Sequence, residues 1–195
     1  MKAIFITLGI VLLIFIIIQA FAMSNRSSIE EYSYKVVETY DGFEIREYEA
    51  SLFTSVKMAT NKYEQASSAG FRVLAGYIFG NNSESQKIAM TSPVAMTMND
   101  SMTMMFMVPK NIEKDELPKP NDSRIILQEE PAKTVAAIRF SGWANNNKLE
   151  KYKKKLSDLL EIENIAHTGN FMYLGYNPPY DVVNRKNEVI VEILR

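Results

Sequence analysis

Two stretches with helical spacing, each set between strand-like runs, constrain this chain more than any other feature. Tyr34 to Thr39 and Phe43 to Tyr48 have strand character and are joined by Asp41-Gly42, a dipeptide that supplies the positive φ of a tight hairpin. Leu52 to Met58 continues with β-branched and aromatic residues. Over Lys62 to Phe79 the period changes: Tyr63, Ala66, Gly70, Phe71, Leu74, Tyr77 and Ile78 recur at helical spacing, with Asn61 placed as an N-cap and Gly80 as the stop. Val94 to Met98 and Met102 to Val108 alternate again across Asn99-Asp100-Ser101, a second hairpin signal.

The second half repeats that order. Strands are predicted near Arg124 to Glu129 and over Thr134 to Phe140, a helix from about Lys148 to Leu160, then strands Phe171 to Tyr176 and Glu188 to Leu194. Leu149, Tyr152, Leu156, Leu159 and Leu160 mark the apolar stripe of the helix. Arg46-Glu47-Tyr48-Glu49-Ala50 in the first half is echoed by Gln128-Glu129-Glu130-Pro131-Ala132 in the second, so the pattern implies an internal duplication. Pro109 to Ser123, rich in Pro, Lys and Asp, connects the halves. The expected class is α+β, a curved antiparallel sheet whose apolar face packs on helices.

Residues 1–23 stand apart. Ala3 to Met23 is dominated by Ile, Leu, Val and Phe, interrupted by Thr7, Gly9 and Gln19 and preceded by Lys2. That run is long enough to cross a bilayer core as a helix. Ala20-Phe21-Ala22 also offers a small-residue cleavage site, although the apolar run exceeds the usual core of a secretory signal, so residues 1–23 read as a transmembrane anchor or a signal peptide. Lys2 and Arg26 flank opposite ends and give little orientation bias. Either reading sends the remainder to the cell envelope: anchored with the domain outside the cytoplasmic membrane, or secreted after cleavage. Residues 24–33 read as a polar tether and residues 34–195 as one folded domain with room for a full core.

Without Lys2, the sole charged residue of the apolar head, 21 basic side chains face 23 acidic ones, a net charge of −2 without a long basic run. Nucleic-acid binding rests on clustered Lys and Arg and is not expected. The absence of cysteine excludes disulfides, thiolate metal sites, thiolate haem ligation and cysteine nucleophiles. Ser141-Gly142-Trp143 lacks the G-x-S-x-G elbow, and neither a phosphate loop nor H-E-x-x-H occurs. Catalytic residues are therefore not assigned.

Lys87-Ile88-Ala89-Met90-Thr91-Ser92-Pro93-Val94 and the distant Tyr176-Asn177-Pro178-Pro179 with Arg185-Lys186-Asn187-Glu188-Val189 form a separated pair of motifs. With Phe43 to Tyr48, Tyr77 to Asn81, Leu117-Pro118-Lys119-Pro120 and Phe140-Ser141-Gly142 in the same order, the chain resembles the SOUL family of haem-binding proteins over roughly Tyr34 to Leu194, here as a bacterial, membrane-tethered member. The resemblance implies a distorted antiparallel β-barrel with two long helices and a pseudo-twofold repeat, an architecture similar to the effector-binding domains of some bacterial regulators. It also implies non-covalent binding of haem or a related porphyrin in an apolar cleft. The alternative is a domain that keeps the fold for another apolar ligand or an envelope protein partner.

Phe71, Leu74, Tyr77 and Ile78 on the first long helix and Tyr180 on the late loop are the candidates for the tetrapyrrole face, with core packing as the competing role for the helical ones. Met90 joins them if the turn through Ser92-Pro93 edges the cleft. Arg185 could meet haem propionates through its planar fork or pair with Glu188. Gly76 and Asp181 stand where the resemblance leads one to expect lysines, and no histidine lies near the first strands to serve as an axial ligand. His167, the sole histidine, falls in a polar stretch read as a loop. Seven of the eleven methionines lie between Met90 and Met107, but strand alternation scatters them over both faces, so adaptable packing fits better than a copper site and no metal ligands are assigned.

Overall fold

The computed structural model describes residues 2–26, 29–99, 101–183 and 185–194, and on the first helix the side chains of residues 4–17 and 19. Helix α1 covers Lys2–Arg26; strands β1 Tyr34–Tyr40, β2 Phe43–Tyr48 and β3 Ser51–Lys57 follow, then helix α2 Tyr63–Ile78 and strands β4 Val94–Thr97 and β5 Thr103–Met107. The second half holds β6 Ile125–Glu130, β7 Lys133–Phe140, helix α3 Asn146–Ile162, β8 His167–Gly175 and β9 Asn187–Ile193. Asp100 of the predicted Asn99–Ser101 turn, and Ser27 and Ser28 of the tether, lie outside the described residues.

All nine strands form one antiparallel sheet in the order β1-β2-β7-β9-β8-β4-β5-β3-β6. With β1 set aside, exchanging β2 with β6, β3 with β7, β4 with β8 and β5 with β9 reverses this order and leaves it unchanged. The expected duplication is thus present in the pairing, with its axis between β8 and β4. The sequence echo noted above falls on β2 and β6, which that axis exchanges. The sheet curls into a half-barrel, and the fold is the α+β distorted barrel that the sequence implied.

Both faces of the sheet are covered. Leu74, Tyr77 and Ile78 of α2 and Leu149, Leu156 and Leu160 of α3 pack with Ile45, Met104, Phe106, Val189 and Val191 into the helix-side core. Tyr32, Tyr48, Phe53, Met105, Met107, Val135 and Ile190 form a second core within the curl. Each such side chain withdrawn from water contributes about 1.5–3 kcal/mol. The methionines divide by parity: Met96, Met98, Met102 and Met104 enter the first core, Met105 and Met107 the second. Gly70 allows α2 to sit close on β5, since a Cβ there would lie 3.1 Å from that of Met104.

Two predicted helix starts are corrected. Asn61 does not cap α2; the N-cap position is Lys62, with no side-chain cap of its own. Helix α3 begins two residues before Lys148, because the Asn145 side chain accepts the Lys148 amide. Gly42 takes φ +93 in the β1–β2 turn, as the Asp-Gly signal requires. The connector after β5 is also less loose than its composition suggests, since the Tyr77 hydroxyl donates to the Pro118 carbonyl at 2.8 Å.

Helix α1 stands clear of both cores, and its described apolar side chains from Ile4 to Ile17 are exposed. Among the described residues, no helix is long and apolar enough to cross a membrane. Within the apolar run from Ala3 to Met23, the described side chains are those of residues 4–17 and 19.

Candidate functional site

The period of α2 decides which of its residues a ligand could touch. Ala66, Gly70, Leu74, Tyr77 and Ile78 all face the sheet. Leu74 and Tyr77 are 0% exposed and Ile78 is buried, so the structure places these three candidates in the core rather than on a cleft wall. Phe71 is 38% exposed, with its ring edge-on to Phe106 at 5.4 Å. Phe79 beside the helix end is more exposed still.

Met90 is half-buried against the helix-side core. The turn that carries it is structural: the Thr91 hydroxyl donates to the Met107 carbonyl at 2.7 Å, and the Ser92 backbone bonds Glu30 and Tyr32 at 2.9 and 2.8 Å.

The loop between β8 and β9 is stapled from inside. Arg185 donates to the carbonyls of Pro178 at 2.9 Å, Asp181 at 2.6 Å and Asn177 at 3.2 Å, while its guanidinium lies 4.1 Å above the Trp143 ring. Asn177 closes the other side, accepting the Lys186 amide at 2.6 Å and donating to the Asp181 carboxylate at 2.7 Å. This corrects the expected role of Arg185. Its terminal nitrogens are occupied by backbone, which withdraws them from a propionate, and it does not pair with Glu188. The staple leaves Tyr180 51% exposed, with Val182, Val183 and Trp143 also exposed.

A polar chain supports this rim. Tyr63, at the start of α2, meets Tyr173 edge-on at 5.2 Å; the Tyr173 hydroxyl donates to Asn187 at 2.7 Å, and Asn187 donates to the Gly142 carbonyl beside Trp143 at 2.7 Å. Burial is the main cause that pushes both phenols above the usual tyrosine range, against the opposing charge of Arg185, so both stay neutral donors at physiological pH. The arrangement brings Tyr180 and Arg185 to one end of the molecule with Trp143. Phe71 lies two turns along α2 from Tyr63, roughly 12 Å.

Sequence reasoning passed over Trp143, Val182 and Val183. The single tryptophan, directly after the Phe140-Ser141-Gly142 motif, was the available signal.

Glu188 serves the other core. Its carboxylate, 0% exposed, accepts Arg46 at 2.9 and 3.2 Å and the Tyr176 hydroxyl at 2.7 Å. Burial would lower the pKa of Arg46, but hydrogen bonding to Glu188 overrides it, and the guanidinium stays charged above its ordinary value. This pair joins β2 to β9 across β7 and stands apart from the rim.

His167 is not in a loop: it opens β8, with Nδ1 accepting the Gly169 amide at 3.1 Å. His167 stands at the start of β8 and the β8–β9 loop leaves from its far end after Gly175, so the imidazole is remote from that loop. Among the described residues no cluster of three His, Asp or Glu could hold a metal ion. A cavity of about 560 Å³ lies between β1, β2, β7 and β9, lined by Tyr34, Lys35, Glu47, Tyr48, Lys133 and Glu192 among others. None of the candidate residues lines it, and its mixed charges suit water better than a tetrapyrrole.

The curled half-barrel with its two packed helices and exposed aromatic rim defines an α+β distorted-barrel domain. The SOUL heme-binding protein family model matches residues 29–192, and the chain belongs to that family. "Heme-binding protein 1" of Xenopus laevis is 29% identical over 75% of this chain and 81% of its own length. "Heme-binding protein 2" of Mus musculus is 26% identical over 85% and 87%. Among solved structures, the EcmrR C-terminal domain aligns with a TM-score of 0.63 at 12% identity, over 83% of this chain and 98% of that one. A hydrolase from Listeria innocua aligns at 0.51 with 9% identity, over 78% and 91%. At such identities the two structures speak for the fold alone.

Membership in the family supports non-covalent binding of haem or a related tetrapyrrole. The residues present fit such a group by apolar contact: Trp143, Tyr180, Val182 and Val183 on the rim and Phe71 along α2 are exposed. They supply no imidazole there.

Proposed function

We propose that the protein binds haem or a related tetrapyrrole without covalent attachment, at the rim formed by the β8–β9 loop, Trp143 and the outer face of α2, and carries, buffers or senses it at a membrane. Family membership supports the ligand class, and one observation carries the location: Arg185 and Asn177 fix the loop from within while Tyr180, Val182 and Val183 face outward beside Trp143. A stiff apolar surface of this kind binds a flat ligand with little ordering cost. The described residues suggest no nucleophile or metal cluster at the rim, and the role we infer is binding rather than catalysis.

Attachment to a membrane through α1 belongs to the same proposal. The helix extends over Lys2–Arg26, and its apolar side chains from Ile4 to Ile17 face solvent on all sides. Read with the 21-residue run from Ala3 to Met23, such a helix is of bilayer length. The cell envelope is the location we infer.

A second reading, the same rim used for another apolar ligand or an envelope protein partner, draws on Gly76 and Asp181. The first offers no cation, and the second is 1% exposed and held by Asn177.

The test is a haemin titration of the full chain in detergent, followed by the Soret band. One-to-one saturation supports haem; non-saturating uptake rejects it in favour of the second reading.

A further inference from the structure

Gln19 is the polar residue nearest the C-terminal end of the apolar run, and the structure gives its amide two partners. Its Nε2 donates to the Tyr180 carbonyl at 3.1 Å and its Oε1 accepts the Val182 amide at 3.3 Å, and the residue is buried. Both partners belong to the β8–β9 loop. An amide placed within an apolar helix carries a desolvation cost unless it is hydrogen-bonded, and in hydrocarbon the only groups able to bond it are those of protein. The loop backbone satisfies both ends of this one.

The position of that contact along α1 matters. Gln19 lies four residues before Met23, so if Ala3 to Met23 spans the bilayer, Gln19 sits about 6 Å inside the end of the apolar run. The loop it holds must therefore reach the level where hydrocarbon meets headgroups. From Gln19 back to Ile4 the helix runs on for roughly 22 Å. Its described apolar side chains there are exposed, so that stretch projects away from the domain.

The loop is built for that level. Tyr180, Val182 and Val183 are exposed, and Asp181, the one acid among its described residues, is turned inward to Asn177. Tyrosine and aliphatic side chains without an exposed charge suit the boundary of a bilayer.

We propose that the β8–β9 loop is a second membrane contact, docked on α1 through Gln19 and dipping Tyr180, Val182 and Val183 into the lipid interface, so that the ligand rim opens onto the bilayer rather than onto bulk water. The inference rests on α1 being a membrane helix. It deepens the proposed function by giving the ligand a source: an apolar molecule dissolved in the membrane reaches the rim by lateral diffusion.

The absence of cysteine makes the test clean. Single variants Val182→Cys and Ile10→Cys of the full chain, labelled with an environment-sensitive fluorophore, are reconstituted into dioleoylphosphatidylcholine vesicles and challenged with lipids carrying a quencher near the headgroup or deep in the acyl chains. The probe at 182 is expected to shift blue and to be quenched best by the shallow lipid, and the probe at 10 by the deep one. Adding Gln19→Leu should return the 182 probe to an aqueous spectrum while the probe at 10 stays quenched. Quenching at 10 with an aqueous probe at 182 in the parent overturns the loop contact and leaves the anchor standing. No quenching at either position overturns the anchor and the inference with it. Quenching at 182 that survives Gln19→Leu overturns the role given to Gln19.

Discussion

Asn146 and Glu64 tie the starts of the two domain helices together. Asn146, the first residue of α3, accepts the amide of Tyr63, the first residue of α2, at 2.7 Å through its side-chain carbonyl. The Asn146 amide donates back to the Glu64 carboxylate at 3.1 Å, and its side-chain nitrogen bonds the same carboxylate. Two positive helix ends thus meet around one anionic group, and each first-turn amide is capped by the other helix. Asn146→Ala should cost about 1 kcal/mol, the usual value of a lost cap, seen as a lower urea midpoint at unchanged slope. An unshifted midpoint would show that the two helix starts are independent.

The buried pair of Arg46 and Glu188 should behave differently. Removing one partner by Glu188→Ala leaves the buried guanidinium with only the partly exposed carboxylate of Glu44, 2.8 Å away, and the loss expected is about 3 kcal/mol, the low end for a broken buried pair. Replacing both, Arg46→Met with Glu188→Leu, should recover most of it, because apolar groups of like volume need no desolvation. Equal unfolding midpoints for the single and double variants would contradict this assignment.

Alkaline pH should unfold the domain through its tyrosines. Burial, with the Glu188 charge second, pushes Tyr48 up to about 12, and the same two causes raise Tyr176 further. Burial also leads the rise of Tyr32 and Tyr173. A folded-state value above the unfolded value of 10.0 means that folding favours the neutral phenol. The stabilisation is complete below pH 10 and is lost as pH rises through about 12. Phenolate absorbance followed with circular dichroism should show these tyrosines ionising together with unfolding. Full phenolate at pH near 10 in a folded chain would contradict their burial.

Much of this fold was legible because both of its periods are regular. Alternation in Met104 to Met107 assigns side chains to opposite faces, and helical spacing from Ala66 to Ile78 marks the face of α2 that is buried. The same spacing concealed the site. Leu74, Tyr77 and Ile78 share the apolar stripe with core residues, and only packing tells a cleft wall from a core, so sequence alone favoured the residues that the sheet covers. The inter-helix cap at Asn146 was equally hidden, since it joins positions 83 residues apart that no local pattern connects. Arg185 was read as a ligand group because its charge is visible in sequence, whereas the three carbonyls that occupy it become neighbours only when the loop folds back.

His167→Ala should leave any haem spectrum unchanged, because that residue opens β8 at the end remote from the rim. A lost or shifted Soret band in this variant would move the site to the other end of the sheet.

The most direct measurement of the central claim uses Trp143, the only tryptophan in the chain, which lies under Arg185 at the proposed rim. Haemin added to the full chain should quench its emission to saturation at one equivalent, in step with the Soret change. Tyr180→Asp and Phe71→Glu should each weaken that binding by about tenfold, the equivalent of ~1.4 kcal/mol of apolar contact, while leaving the unfolding midpoint within error. Saturable quenching that neither variant alters would place the ligand elsewhere, and quenching without saturation would remove haem binding from the account.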